Sequence, residues 1–256
     1  MLKKRAQITI FVIIGIIILV SIVFYMILRG DTIINFRPAK LPEPQAYLTE
    51  CFEESVIQKM LAQGGYLEPE NYKLFEGNKI AYLCYNMNYY YPCVNQEPMY
   101  FKHLENEITD NSEDKINSCF EAFKEEYEKK GFDIVLEDRG AMQVNCELSS
   151  RKLEVDIDRT IEISGKGEEK KYDEFKLVIA TPLYDLASIA VEIVDQEAKY
   201  CHFEYIGYSL LYPEVYVERY THGGNENAAK IYVVEDKYTK DRLKFAVRGC
   251  IIPAGF

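Results

Sequence analysis

The residues best equipped for chemistry are seven cysteines (Cys51, Cys84, Cys93, Cys119, Cys146, Cys201, Cys250) and three histidines (His103, His202, His222). Thiolates serve as nucleophiles and metal ligands, and imidazoles as bases and further ligands. The spacing favours neither use: there is no CxxC, and the histidines make no zinc pattern with the cysteines. Cys201-His202 is the best raw material for a nucleophile and base, yet neighbours on a strand point to opposite faces, so it reads as a structural cysteine beside a surface histidine. His222-Gly-Gly-Asn225 reads as a turn, with a binding histidine on a flexible loop as the alternative. The acidic run Glu121 to Glu128 and the pair Asp156/Asp158 lack EF-hand spacing and read as solvated faces. HExxH, GxSxG, P-loop and Rossmann glycine fingerprints are missing. No catalytic residue, cofactor or metal site is assigned, and the balance leans away from an enzyme.

The cysteines fit disulfide chemistry better. An odd number leaves one thiol free, buried or paired between chains. Two or three bridges are expected. Cys84 to Cys93 comes first, since it closes a short loop, and Cys51 to Cys119 second, since both lie on apolar faces of amphipathic helices. Tyrosine is the other excess, 21 residues with no tryptophan. Tyr85, Tyr89, Tyr90 and Tyr91 crowd the Cys84–Cys93 segment as a candidate interface, because tyrosine combines rigid contact area with a polar tip; a small aromatic core is the alternative reading.

These residues must be positioned by elements that begin after an uncharged run, Ile8 to Leu28. As a helix this run would be about 31 Å long, enough to span a bilayer. Lys3, Lys4 and Arg5 ahead of it predict a cytoplasmic N-terminus and an extracytoplasmic remainder. The expected organisation is a basic leader over 1–7, a transmembrane helix over 8–28 in contact with lipid, a proline-containing stalk over 29–46 and an α+β domain over 47–256, with a sub-boundary near 131. Beyond Arg29 stand 26 basic against 41 acidic residues, about −15 in net charge, which argues against nucleic acid as a partner. All seven cysteines fall on that side, as an oxidising compartment would have them.

Within the domain, Leu48, Phe52, Val56 and Met60 mark an amphipathic helix over Tyr47 to Gln63. Asn78 to Tyr100 reads as short strands or a loop. A second helix is expected over Ser112 to Lys130, with a start as early as Phe101 allowed. From Phe132 the apolar period becomes two. Ile134-Val-Leu136, a turn at Asp138-Arg-Gly140, Met142 to Leu148, Leu153 to Ile163 and Phe175 to Ile179 read as an antiparallel meander on which the helices pack. Pro182 opens another helix, and Lys230 to Glu235 and Arg242 to Arg248 are further strands.

The leader Lys3-Lys4-Arg5-Ala6-Gln7-Ile8-Thr9-Ile10-Phe11 resembles the start of archaeal prepilin-like proteins. The resemblance implies cleavage between Ala6 and Gln7 and a hydrophobic helix retained for packing into a filament. Glu50-Cys51 on a helix, Gln63-Gly-Gly-Tyr66 and Gly131-Phe-Asp-Ile134 are similar to uncharacterised archaeal single-pass membrane proteins, and this likeness implies no activity. Three functions stay open: a structural or adhesion component of the cell surface, pilin-like in one form, that associates with itself or with envelope proteins; a receptor ectodomain that binds a ligand or partner; and an envelope hydrolase.

Overall fold

The computed structural model describes residue 16 and residues 18–21, 41–137, 142–224 and 227–251. The cleavage site at Ala6 and Gln7 lies outside them, as does the anchor Ile8 to Leu28 except for residue 16 and residues 18–21, which are helical. Among the described residues no helix is long and apolar enough to cross a membrane. Residues 29–40 of the expected stalk are also outside. Leu41–Phe256 forms one compact unit of α+β class.

Its first helix, α1, is α-helical over Pro44–Phe52, passes through a π-turn at Glu53–Ile57, and is α-helical again over Gln58–Ala62. The stalk expectation therefore fails at 44–46. Proline at a first helical position loses only an N–H that has no intrahelical partner anyway, so Pro44 starts the helix rather than blocking it. Leu48, Phe52, Val56 and Met60 are buried, as their four-residue spacing predicts.

The single helix expected from Ser112, or from Phe101, is two: α2 over Tyr100–Asn111 and α3 over Glu113–Glu128. Ser112 is the break. Its hydroxyl donates to the carbonyl of Ile108, and its backbone, at φ −96° and ψ −6°, departs from ideal helical values without leaving the right-handed region. Serine offers the backbone this alternative partner, which periodicity in apolar residues does not register. Ile116, Cys119, Phe120 and Phe123 then form the buried stripe of α3.

Two sheets follow. Sheet one holds β4 (Asp133–Leu136), β5 (Gln143–Ser149), β6 (Lys152–Gly165) and β7 (Glu168–Ile179). β5, β6 and β7 form a meander, but β4 does not pair with β5. β7 covers one edge of β6, while β5 (against 152–158) and β4 (against 161–164) pair with β6 as well, both antiparallel to it. β4 and β5 therefore run in the same direction and form no hairpin with each other; the turn expected at Asp138-Arg-Gly140 lies outside the described residues. Alternation places Ile134, Val144 and Leu148 on a buried face but does not say which strand each lies beside.

Sheet two contains β1 (Tyr72–Phe75), β2 (Asn78–Tyr85), β3 (Val94–Asn95), β8 (Val215–His222), β9 (Ala229–Asp236) and β10 (Arg242–Arg248). The order is β1-β2-β10-β9-β8, with β3 also on β2 and a parallel β2–β10 pair at its centre. The sheet curls so far that Phe75 of one edge strand meets Tyr220 and His222 of the other, at ring separations of 5.7 and 5.3 Å. Inside the curl, Ile80, Tyr82, Ile231 and Val233 form a small second core. On the other face Tyr232, Val234, Phe245 and Val247 join the main core, shared with α1, α3, sheet one and α4 (Leu183–Tyr200). A short helix, α5 (Tyr205–Leu211), leads into β8.

Candidate recognition surface

β2 ends at Tyr85 and β3 returns at Val94, so residues 86–93 must reverse the chain within one short loop. A disulfide between Cys84 and Cys93 closes its base, with Cα atoms 5.3 Å apart. Asn86 accepts from the backbone of Asn88 through its side-chain oxygen and donates to the carbonyl of Pro92, an internal brace typical of asparagine in turns. The far end of the chain supplies a second clamp. The backbone N–H groups of Cys250 and Ile251 donate to the carbonyls of Tyr91 and Tyr89, both at 2.9 Å. Gly249 makes this approach feasible, because a Cβ there would sit 2.6 Å from the backbone nitrogen of Cys93. Cys250 is itself bonded to Cys201 at the end of α4.

Held this way, Tyr90 and Tyr91 stand outward, 59% and 55% exposed, with Met87 beside them in sequence also exposed. Their rings are 4.7 Å apart, and Tyr89 packs edge-on against Tyr90 at 5.5 Å. Of the four tyrosines expected at an interface, Tyr89, Tyr90 and Tyr91 are brought together. Tyr85 is not: it turns toward Tyr82 and receives a hydrogen bond from Arg248 at 3.1 Å.

The strand after the loop leads to a cleft of about 650 Å³, bordered by Tyr66, Tyr82, Glu97, Glu107 and Asp114. Glu97 accepts from the Tyr66 hydroxyl, and Glu107 accepts from the Leu67 backbone at 2.7 Å. His103 packs at a tilt against Tyr66, ring centroids 4.2 Å apart; its Nε2 lies 3.2 Å from the Gly65 carbonyl and its Nδ1 3.9 Å from Glu97. Since a carbonyl only accepts, Nε2 carries a proton and ties the Gly64-Gly65 turn to α2. Gly65 itself has φ +82° and leaves no room for a Cβ beside Tyr100 and Leu104. Burial, then the Glu97 carboxylate, pushes the Tyr66 phenol far above its ordinary range, so it remains a protonated donor. The cleft can hold polar or cationic groups, but it sets no nucleophile against a base.

The remaining chemistry-bearing residues are dispersed. Cys201 lies not on a strand but at the left-handed cap of α4 (φ 61°), and its sulfur is in the bond to Cys250. His202 meets Glu204 at 3.5 Å on the surface, and His222 packs on Phe75. Cys51 and Cys119 are bonded to each other, joining α1 to α3. Cys146 is the free cysteine; burial raises its thiol above the usual value, and it donates to the Glu105 carbonyl at 3.2 Å. Lys124–Glu128, Lys129–Glu125 and Lys130–Glu126 ion pairs lace the exposed acidic run of α3. No group of three or more metal-ligating side chains occurs among the described residues.

Sequence reasoning missed a buried network. Glu197 of α4 receives Lys230 at 2.5 Å and the Tyr232 hydroxyl, and Lys230 also donates to the Cys201 carbonyl at 2.9 Å. A lysine within an otherwise apolar strand was the available signal. No family model, no characterised protein and no solved structure matches this chain.

Proposed function

We propose that this chain is a membrane-anchored, extracytoplasmic envelope protein that acts by binding: a structural or adhesion component whose tyrosine loop engages a partner protein. Residues 8–28 form the transmembrane anchor in this reading, with the N-terminus in the cytoplasm. The observation that carries it is the loop itself. Two exposed tyrosines are held by a disulfide at the base and by backbone bonds from the other end of the chain. Fixing the loop in advance lowers the ordering cost of association, and tyrosine is among the residues that dominate interface energies. Three disulfides among seven cysteines support export to an oxidising compartment. The leader residues Lys3 to Gln7 favour a pilin-like form of the same reading, with Ala6 and Gln7 flanking the cut.

The test compares purified wild-type chain with a Tyr90→Ser/Tyr91→Ser variant for binding to envelope material. The expected result is binding weaker by about tenfold or more, with an unchanged melting temperature, because both side chains face water. Equal binding by the two proteins would overturn the assignment of this loop.

A further inference from the structure

Within the domain, α5, Tyr-Ile-Gly-Tyr-Ser-Leu-Leu, contains no charged residue, and none of its side chains is fully buried. Ile206 and Leu210 are four apart and share a face, with Leu211 adjacent. They are 59%, 79% and 77% exposed. The helix is not loose. Tyr208 packs on the buried Phe203 at 5.3 Å, Ser209 accepts from the Val217 backbone at 3.0 Å, and the Arg219 guanidinium covers the Tyr205 ring at 4.9 Å. The inner side is therefore pinned and the aliphatic side is presented to whatever lies outside. Tyr200 and Tyr212, on either side in sequence, are exposed as well.

Three aliphatic side chains between tyrosines are the composition of a membrane interface, with hydrocarbon inward and phenols at headgroup level. A stable protein interface buries about 800 Å² per partner, more than such a tip provides. A bilayer that already holds the chain demands less, since tethering raises the local concentration and a weak second insertion suffices. Residues 29–40 can extend at most about 40 Å, which keeps the domain near that surface. Glu204 and Glu214, flanking the helix in sequence, disfavour anionic headgroups.

We propose that α5 is a membrane-contact element: Ile206, Leu210 and Leu211 insert into the headgroup boundary of a zwitterionic bilayer. The inference rests on the anchored reading of residues 8–28. Because the chain has no tryptophan, one introduced indole reports on one place. The full chain carrying Leu210→Trp, Leu211→Trp or, as a control on the exposed face of β1, Leu74→Trp is reconstituted into phosphatidylcholine vesicles with and without brominated acyl chains. Flotation first establishes that the chain is in the membrane. The expected result is quenching by brominated lipid about twofold stronger or more at 210 and 211 than at 74, with blue-shifted emission. Equal quenching at all three sites in chains that float overturns the α5 assignment and spares the anchor. A blue shift that depends on protein density and ignores bromination assigns the tip to a second copy and also overturns it. Chains that do not float overturn the anchored reading and this inference together.

Discussion

Sheet one turns one face to water and the other to the helices, whereas sheet two is buried on both faces along β9, where all eight residues from Ala229 to Asp236 are buried. The first has charged side chains only where they are solvated: Lys171 pairs with Glu162 at 2.7 Å and Lys176 with Glu154 at 2.7 Å, on the outer face. The second has charges in its interior and must satisfy each of them there. It also lies next to two of the three disulfides, while the only cysteine of sheet one, Cys146, is unbonded. The tyrosine loop hangs from the reinforced sheet. A rigid display needs a support that cannot slide in register, and burial on both faces together with covalent closure provides one.

The largest way to break this contrast is Glu197→Ala. It would leave the Lys230 ammonium and the Tyr232 hydroxyl without their carboxylate in a buried site, and we expect a loss of about 3–5 kcal/mol in chemical denaturation. Glu162→Ala, on the exposed face of sheet one, serves as the comparison and should change stability by less than about 1 kcal/mol. Comparable losses in the two variants would show that the interior charges of sheet two are not special.

Next in size is removal of the Cys201–Cys250 bridge by a Cys201→Ala/Cys250→Ala substitution. The two cysteines are 49 apart in sequence, and chain-entropy reasoning gives a loss of about 4 kcal/mol. The bridge also fixes Cys250, whose N–H holds Tyr91. Proteolysis at the 86–92 loop should therefore accelerate in the variant, while cleavage within sheet one keeps its wild-type rate after correction for global stability. Uniform acceleration at both places would mean the bridge stabilises the fold without bracing the loop.

The contrast also explains how much could be read from the chain alone. Leu153, Val155, Ile157, Ile161 and Ile163 share one parity and are buried, and the stripes of α1 and α3 fall where their spacing puts them. One solvated face makes such patterns visible. β9 offers no alternation, since both faces are covered, and the parallel pairing of β2 with β10 joins residues 160 and more positions apart that carry no local sign of each other. Tyr89 to Tyr91 and the Cys84–Cys93 closure were legible because the loop is local. The clamp from Cys250 and the exposed tip of α5 were not, because both depend on what the rest of the fold covers.

The smallest expected effect concerns the place where the two sheets are tied. Arg151, in the β5–β6 turn, donates to Asp236 at the end of β9 and also meets Asp185 at 3.2 Å. Asp236 is buried, which by itself would raise its carboxyl. The backbone N–H groups of Thr239 and Tyr238 and the Arg151 guanidinium outweigh that and hold it below the ordinary carboxylate range. A depressed carboxyl contributes stability that is complete above its unfolded value of about 3.9 and is lost as pH falls through the lower folded value. Asp236→Asn keeps an oxygen for the two backbone donors and removes both the charge and the acceptor oxygen facing Arg151. Because Arg151 is half exposed, solvent screens that attraction, and the loss at neutral pH should be about 0.5–1 kcal/mol. Other carboxyls titrate in the same range, so the informative quantity is the difference between wild type and variant in urea unfolding, followed from pH 7 to strongly acidic conditions. That difference should hold constant down to about pH 4 and then shrink. A difference that grows on acidification would mean the Asp236 carboxyl is raised rather than depressed, and that its burial, not Arg151, governs the junction of the two sheets.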